Sequence, residues 1–256
     1  MSKFIQVFSE DDVGVVQLNR PEVLNALNRE MVEEIVAQLE SFERNESIRI
    51  IVVKGNHRAF AAGADIEEML EETPLTLELL NPFAVWDKIS LIKKPILAAV
   101  NGFALGGGFE LALHCDLIIA AEDAKFGFPE VKLGVMPGAG GTQFLTKAMG
   151  RRKALEWIWL GESMSANEAL SHGVINRVVA PELVEEETMR LAQQLAALPP
   201  VSLRLIKEAV HVAEDTSLQE GKQVERKNFY LAFSSADQKE GMHAFLEKRP
   251  PTFKGV

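Results

Sequence analysis

The sequence is poor in cysteine and has no long apolar run. Cys115 is the single cysteine among 256 residues, so no disulfide can form within the chain, and the cytoplasm is the expected compartment. No apolar stretch reaches the roughly 18 residues that a membrane span needs, and the N-terminal residues show no secretory signal pattern. We therefore expect a soluble cytoplasmic protein with no membrane partner.

Positive charge is also scarce. The 27 lysines and arginines are outnumbered by 37 aspartates and glutamates, which gives a formal net charge of −10. A nucleic-acid-binding protein usually presents a basic face to phosphates, so the composition argues against a nucleic-acid partner. A small anionic ligand remains compatible with this charge, because a few local lysines can meet one phosphate group.

Several sequence motifs of known catalytic or cofactor sites are missing. No Gly-Lys-Ser/Thr follows a glycine run, the spacing G-x-G-x-x-G fails around Gly106 and Gly138, and no nucleophile-elbow motif occurs. Glu110 and His114 have the i,i+4 spacing of two metal ligands on one helix face, but no third ligand is evident. The sequence thus predicts neither a nucleotide cofactor nor a metal site.

Strand and helix patterns alternate through most of the chain. Residues 13–18, 48–53, 96–100 and 117–120 are short, branched and almost entirely apolar, as buried strands are. Residues 28–45 place apolar side chains at helical spacing, with Asn28 as a plausible N-cap. This alternation predicts an α/β layered core.

The character of the chain changes at Pro199-Pro200, which must interrupt a helix. Beyond it, residues 201–213, 218–233 and 236–248 all read as helices, with no strand candidate. We therefore divide the chain into a core at residues 1–198 and a helical region at residues 199–256. The apolar residues of this region favour contacts between subunits, and a helical cap on the chain's own core is the alternative.

Three glycine-bearing segments, at residues 59–65, 101–110 and 126–142, stand out as candidate sites. The first two follow predicted strands, and a glycine between a strand and a helix lets the backbone approach a ligand. It also leaves amide N–H groups free at the helix N-terminus. The segments are therefore candidates for an oxyanion hole made of backbone amides, with tight turns of no catalytic role as the alternative.

Two glutamates lie inside these segments. Glu110 follows the glycine run by about one helical turn and has apolar neighbours, and Glu130 follows a proline in an apolar stretch. Burial raises the pKa of a carboxyl group, so two such glutamates can share a water as acid and base. Taken singly, each glutamate would more often be solvated or ion-paired.

The three segments resemble the signature motifs of the crotonase (enoyl-CoA hydratase/isomerase) superfamily. The motifs are FAAGAD at residues 60–65, NGFALGGGFE at 101–110 and FGFPE at 126–130, and PGAGGTQ at 137–143 is similar as well. LNRP at residues 18–21, NALN at 25–28 and the closing residues 240–249 extend the match over essentially the whole chain, in the family's order.

The resemblance implies a fold and a reaction. The fold would be a spiral of ββα units followed by a helical trimerisation region, assembled as a homohexamer that is a dimer of trimers. The N–H groups of Ala64 and Gly107 would form the oxyanion hole for the thioester carbonyl. Glu110 and Glu130 would hold one water, one removing its proton and the other protonating C2, while the amide of Gly138 would help position that water.

The presence of both glutamates favours enoyl-CoA hydratase, which adds water across the C2–C3 double bond of a trans-2-enoyl-CoA. An enoyl-CoA isomerase, or another acyl-CoA reaction of the family such as hydrolysis, is the alternative. No cofactor is expected, since coenzyme A is part of the substrate.

Family analogy also implies which residues contact coenzyme A. They are Asn25, Ala26, Leu27, Ala62, Ala64, Asp65, Ile66, Glu67 and, from a neighbouring subunit, Lys248. One departure concerns Phe128, which stands where several hydratases carry glutamine, and it suggests a drier acyl pocket or a different chain-length preference.

Overall fold

Ten strands form two sheets in the computed structural model, which describes residues 2–256. The strands are β1 (Ile5–Glu10), β2 (Val13–Leu18), β3 (Ile50–Lys54), β4 (Ala59–Ala61), β5 (Ile96–Val100), β6 (Phe103–Leu105), β7 (Leu117–Ala121), β8 (Lys125–Gly127), β9 (Ser163–Ser165) and β10 (Arg177–Val179). The larger sheet has the order β1-β2-β3-β5-β7-β10 and the smaller one β4-β6-β8-β9. All four strands predicted from the sequence are present, within two residues at each end.

The larger sheet is buried on both faces. Ile50 and Val52 of β3 pack in one apolar cluster with Leu191, whereas Ile51 and Val53 belong to the larger cluster on the opposite face. Neighbouring side chains of a strand point to opposite faces, so a strand covered on both sides must be apolar throughout. This requirement explains the continuous apolar runs in the sequence.

Twelve α-helices accompany the strands within residues 2–256. They are α1 (Arg29–Arg44), α2 (Ile66–Met69), α3 (Pro74–Leu80), α4 (Phe83–Asp87), α5 (Gly107–Leu113), α6 (Gly141–Met149), α7 (Arg151–Leu160), α8 (Ala166–Ser171), α9 (Val184–Ala196), α10 (Pro200–Asp215), α11 (Leu218–Ala232) and α12 (Ala236–Glu247). The predicted cap of α1 is confirmed, because the Asn28 side chain accepts a hydrogen bond from the N–H of Met31 at 2.9 Å.

A repeated unit links the two sheets. A strand of the larger sheet is followed three times by a strand of the smaller one: β3 by β4, β5 by β6, and β7 by β8. A helix comes next in each case, namely α2, α5 and the 3-10 helix Pro129–Leu133. The α/β class predicted from the sequence and the ββα units implied by the resemblance are confirmed, and the three turns after β4, β6 and β8 become neighbours.

The chain changes character between α9 and α10, where Pro199-Pro200 separates the helices as predicted. Helix α10 is tied to the core by Lys207, whose Nζ lies 2.7 Å from the Asp116 carboxylate, and the segment after α12 is tied to it by Arg49, which donates to the carbonyl of Phe253. Several large apolar side chains of these helices stay exposed, including Ile206, Phe229, Tyr230, Phe245 and Leu246.

No helix within residues 2–256 combines the length and the apolar character needed to cross a lipid bilayer.

Helix α5 lies in very close contact with β4. A Cβ built on Gly108 would be 2.1 Å from the carbonyl oxygen of Ala61, far inside van der Waals contact. The absence of a side chain at this position therefore permits the approach of α5 to the turn that follows β4.

We expect Gly108→Ala to lower the free energy of unfolding by about 1–3 kcal/mol, because the added methyl group forces two packed backbones apart. Gly221→Ala in α11 is the matched control. A Cβ there would meet only the Thr216 hydroxyl at 3.6 Å, so alanine should stabilise the protein by about 0.5–1 kcal/mol. Urea unfolding measures both changes, and a Gly108→Ala variant as stable as Gly221→Ala would contradict the packing argument.

Candidate active site

A cavity of about 360 Å³ lies where the three turns of the ββα units meet. Ala64 lines it from the first turn, Gly107 and Glu110 from the second, and Glu130 from the third. Much of the remaining wall is apolar and includes Val32, Leu77, Leu80, Phe83, Trp86 and Leu133. The structure thus brings both predicted glutamates and both predicted amide residues to one cavity.

Glu110 lies in the first turn of α5 and is 4% exposed. Its Oε1 accepts two hydrogen bonds, from the N–H of Ala139 at 2.7 Å and from the N–H of Gly141 at 2.8 Å. Burial raises the pKa of Glu110, and the two amide hydrogen bonds oppose that rise by stabilising the anion. The site therefore holds this carboxylate in one orientation and supports its negative charge.

Glu130 has a different environment, in the 3-10 helix Pro129–Leu133. Its Oε2 is buried and has no hydrogen-bond partner among residues 2–256. Burial first, and the neighbouring charge of Glu110 to a smaller extent, raise the pKa of Glu130 to about 7, although its own backbone N–H acts in the other direction. A carboxyl group with this pKa carries a proton for a large part of the time at neutral pH.

The backbone amides of Ala64 and Gly107 lie near each other. A Cβ on Gly107 would be 3.6 Å from the nitrogen of Ala64, and neither N–H donates a hydrogen bond to any atom of residues 2–256. Gly107 is the first residue of α5, where amide N–H groups have no partner within the helix. Two adjacent free donors of this kind suit an oxygen atom that develops negative charge.

The turn that contains Ala64 is fixed by hydrogen bonds to residues 24–27. The N–H of Ala62 donates to the carbonyl of Leu24 at 3.0 Å, that of Leu27 to Gly63 at 2.7 Å, and that of Asp65 to Leu27 at 2.9 Å. These bonds alternate around Ala64 and leave its own N–H facing away from the paired segment. A rigid strand-like pairing therefore presents the amide.

Five of the nine residues assigned to coenzyme A line the cavity, and four do not. Leu27, Ala62, Ala64, Asp65 and Ile66 belong to the lining, whereas Asn25, Ala26, Glu67 and Lys248 lie outside it. Lys248 is exposed at the C-terminal end of α12, where contact with a substrate of another subunit remains a prediction.

Asn25 requires a correction. It is 0% exposed, and its side-chain amide donates to the carbonyls of Ala59 and Phe60 while its Oδ1 accepts from the N–H of Arg20. A fully buried amide with all these partners has no surface left for a ligand. Its role is to hold the segment before α1 against β4.

Gly138, predicted to position a water through its amide, lines the cavity against the ring of Phe83. The sequence reasoning missed that Ala139 and Gly141, in the same glycine-rich segment, supply the N–H groups that bind Glu110. The glycine run was the available signal, but it does not tell which of its amides turn toward the carboxylate.

The prediction that Phe128 makes the acyl pocket less polar is wrong, because its ring does not reach the cavity. Phe128 is 2% exposed, stacks on Phe109 with ring centroids 4.9 Å apart, and does not line the cavity. A Cβ on Gly141 would lie 2.5 Å from its ring. Phe128 therefore supports the turn behind Glu110 from the core side.

Within residues 2–256, no group of three histidine, cysteine, aspartate or glutamate side chains is arranged to hold a metal ion.

The chain is similar to known proteins over nearly its whole length. The sequence model described as "Enoyl-CoA hydratase/isomerase" matches residues 9–256. A probable mitochondrial enoyl-CoA hydratase of Dictyostelium discoideum is 45% identical over 94% of this chain and 87% of its own length. A 2,3-dehydroadipyl-CoA hydratase of Escherichia coli is 42% identical over the full length of both chains.

The solved structure of "Enoyl-CoA Hydrates Subunit I" from Geobacillus kaustophilus superposes with a TM-score of 0.98, at 63% identity over 99% of both chains. Sequence, fold and cavity therefore lead to the same assignment: the chain belongs to the enoyl-CoA hydratase/isomerase family.

Proposed function

We propose that this chain is an enoyl-CoA hydratase, which adds water across the C2–C3 double bond of a trans-2-enoyl-CoA to give a 3-hydroxyacyl-CoA. The observation that carries the proposal is one apolar cavity lined by the buried Glu110, the half-buried Glu130 and two residues with free backbone amides. The relatives named as hydratases, at 42–45% identity, support the same reaction.

The amides of Ala64 and Gly107 would bind the thioester carbonyl oxygen. Attack on C3 moves negative charge from the double bond onto that oxygen, so donors already directed at it stabilise the enolate more than the ground state. Neither N–H has to give up a partner within the chain first. The pair therefore acts without rearrangement of the backbone.

The environments of the two glutamates suggest their roles. Glu110 accepts two N–H bonds that favour its anion, so it suits the base that takes a proton from water as the oxygen bonds to C3. Glu130, with a pKa raised to about 7, suits the acid that gives its proton to C2. Proton exchange with solvent then discharges Glu110 and reloads Glu130, and the net change is the addition of one water.

Isomerisation of a double bond is the main alternative within the family. It needs one acid–base group to carry a proton between two carbons, whereas hydration has to activate a water as well. The two glutamates at one cavity favour hydration. Loss of the enoyl thioester absorbance of crotonyl-CoA tests this directly, and an enzyme that shifts the double bond of a 3-enoyl-CoA without hydrating crotonyl-CoA would overturn the proposal.

We also propose that coenzyme A lies along the segment of Leu27 and Ala62–Ile66, with no further cofactor. The base, the acid and the oxyanion donors would all come from the chain itself.

A homohexamer made of two trimers is proposed from the exposed apolar side chains of α10 to α12, such as Phe229 and Phe245. A cytoplasmic location is proposed from the lone cysteine, Cys115. Light scattering and cell fractionation test these two proposals.

We expect Glu110→Gln and Glu130→Gln each to lower kcat for crotonyl-CoA by roughly 10²–10³-fold or more, because each removes one proton-transfer group. Glu122→Gln is the matched control, since Glu122 is exposed at the end of β7 and outside the cavity. Thermal unfolding should show all three variants folded. Near-normal turnover in either cavity variant would refute the paired mechanism.

The pH dependence of kcat/KM should reflect Glu130. Because Glu130 has to be protonated to deliver a proton, and its pKa is raised to about 7, kcat/KM should fall above about pH 7, by roughly tenfold for each pH unit. Glu130→Gln should lack this decline in its residual activity. A flat profile of the unmodified enzyme well above pH 7 would show that Glu130 is not the acid.

A further inference from the structure

His114 lies one helical turn after Glu110 and hydrogen-bonds to the segment that binds that glutamate. It forms the C-terminal end of α5, where its backbone N–H donates to the carbonyl of Glu110 at 3.0 Å. Its ring nitrogen Nε2 lies 2.9 Å from the carbonyl oxygen of Ala139. A carbonyl oxygen can only accept, so Nε2 must carry the hydrogen.

The ring of His114 is held between two aromatic side chains. Its centroid is 5.9 Å from that of Trp86, and Phe144 meets it edge-on at 4.9 Å. Burial among such groups lowers the pKa of His114. The residue therefore remains a neutral imidazole at neutral pH, with its single N–H directed at Ala139.

Both backbone polar groups of Ala139 form hydrogen bonds. Its N–H donates to Oε1 of Glu110 at 2.7 Å, and its carbonyl accepts from His114. The N–H of Gly141, two residues later, reaches the same Oε1 at 2.8 Å. The Ala139 carbonyl belongs to the peptide unit between residues 139 and 140, which lies between the two peptide units that carry these N–H groups. A hydrogen bond that fixes this carbonyl therefore restrains the peptide units on both sides of it.

We propose that His114 is a positioning residue of the acid–base site, whose Nε2–H holds the Ala139 carbonyl so that the amides of Ala139 and Gly141 remain directed at Glu110. The inference rests on the proposed hydratase function for its kinetic consequences. Its structural basis is independent of that function: one turn of α5 supplies both the carboxylate and the side chain that fixes the segment bound to it.

The arrangement makes a hydrogen-bond donor, and not only a ring of suitable volume, necessary at position 114. Phenylalanine would keep the aromatic packing against Trp86 and Phe144 but could not donate to Ala139. Glutamine has an amide NH₂ that can reach the place of Nε2. The two substitutions therefore separate the hydrogen bond from the packing.

We expect H114F to lower kcat for crotonyl-CoA roughly ten- to a hundredfold, because small displacements of a catalytic group are costly, with KM changed by less than about twofold. H114Q should keep kcat within about threefold of the unmodified enzyme. H172Q is the matched control, since His172 also packs on an aromatic ring, that of Trp157, and does not line the cavity. It should leave both constants unchanged.

The pH dependence of kcat/KM separates a hydrogen-bonding role of His114 from a role in packing alone. Loosened amides stabilise the Glu110 anion less, so H114F should raise the pKa of Glu110 and shift the acidic limb of kcat/KM to higher pH. Two charged groups face Glu110 and His114: Glu130 lies beside Glu110, and Asp87 lies near His114. Both are retained in every variant. NMR titration of the Glu110 carboxyl group measures the same shift without turnover.

The inference is overturned if H114F matches the unmodified enzyme in kcat and pH profile, or if H114Q loses as much activity as H114F. Should H114F fail to fold, H114L takes its place, with the same expected losses. Failure of the hydratase proposal is distinguishable, because the unmodified enzyme would then not hydrate crotonyl-CoA. The NMR titration would still decide whether His114 controls the state of Glu110.

Discussion

Two backbone N–H groups that reach one carboxylate oxygen make the site possible. An ionised glutamate that is 4% exposed would be costly without compensation, and the amides of Ala139 and Gly141 supply it at 2.7 and 2.8 Å. These donors are neutral amides, so they stabilise the negative charge without the strong ion pair that a lysine or arginine side chain would form with the carboxylate. The two amides therefore stabilise the Glu110 anion and leave the carboxylate free to accept a proton. Phe128 behind Gly141 and His114 behind Ala139 then keep the two amides in place.

The second glutamate of the cavity, Glu130, lies in different surroundings. No N–H group reaches Oε2 of Glu130, and Glu110 adds a nearby negative charge. Burial of the carboxyl group, and to a smaller extent the Glu110 charge, raise the pKa of Glu130 to about 7. The pair thus consists of one carboxyl group whose anion is stabilised by two amide hydrogen bonds and one whose Oε2 has no such stabilisation. A negative charge on Glu110 favours the protonated form of Glu130.

The alternation of strand and helix patterns was sufficient to predict the α/β class, and the resemblance of the glycine-rich motifs to the crotonase family implied the convergence of residues 64, 107, 110 and 130. Such signals failed where a role depends on packing from elsewhere in the chain. Asn25 looked like a ligand contact, yet β4 encloses its amide. Phe128 stood two residues from Glu130, but its ring turns to Phe109 in the core. The direction of the Ala139 and Gly141 amides depends on a turn whose conformation no single residue specifies. The roles of the site residues themselves remain predictions.

The three ββα units differ in how far the residues of their turns can be substituted without loss of the fold. Strands β4, β6 and β8 are parallel neighbours, so the turns after them reach the same cavity although they are separated by long stretches of sequence. The second turn is the least free to change, because a Cβ on Gly108 would strike the Ala61 carbonyl and α5 carries Glu110 from within the core. The third turn is a short 3-10 helix without buried residues, and a substitution at Glu130 therefore disturbs little packing. The geometry thus places Gly107 and Glu110 on a closely packed helix, and Glu130 on a segment where a substitution disturbs the packing of the fold least.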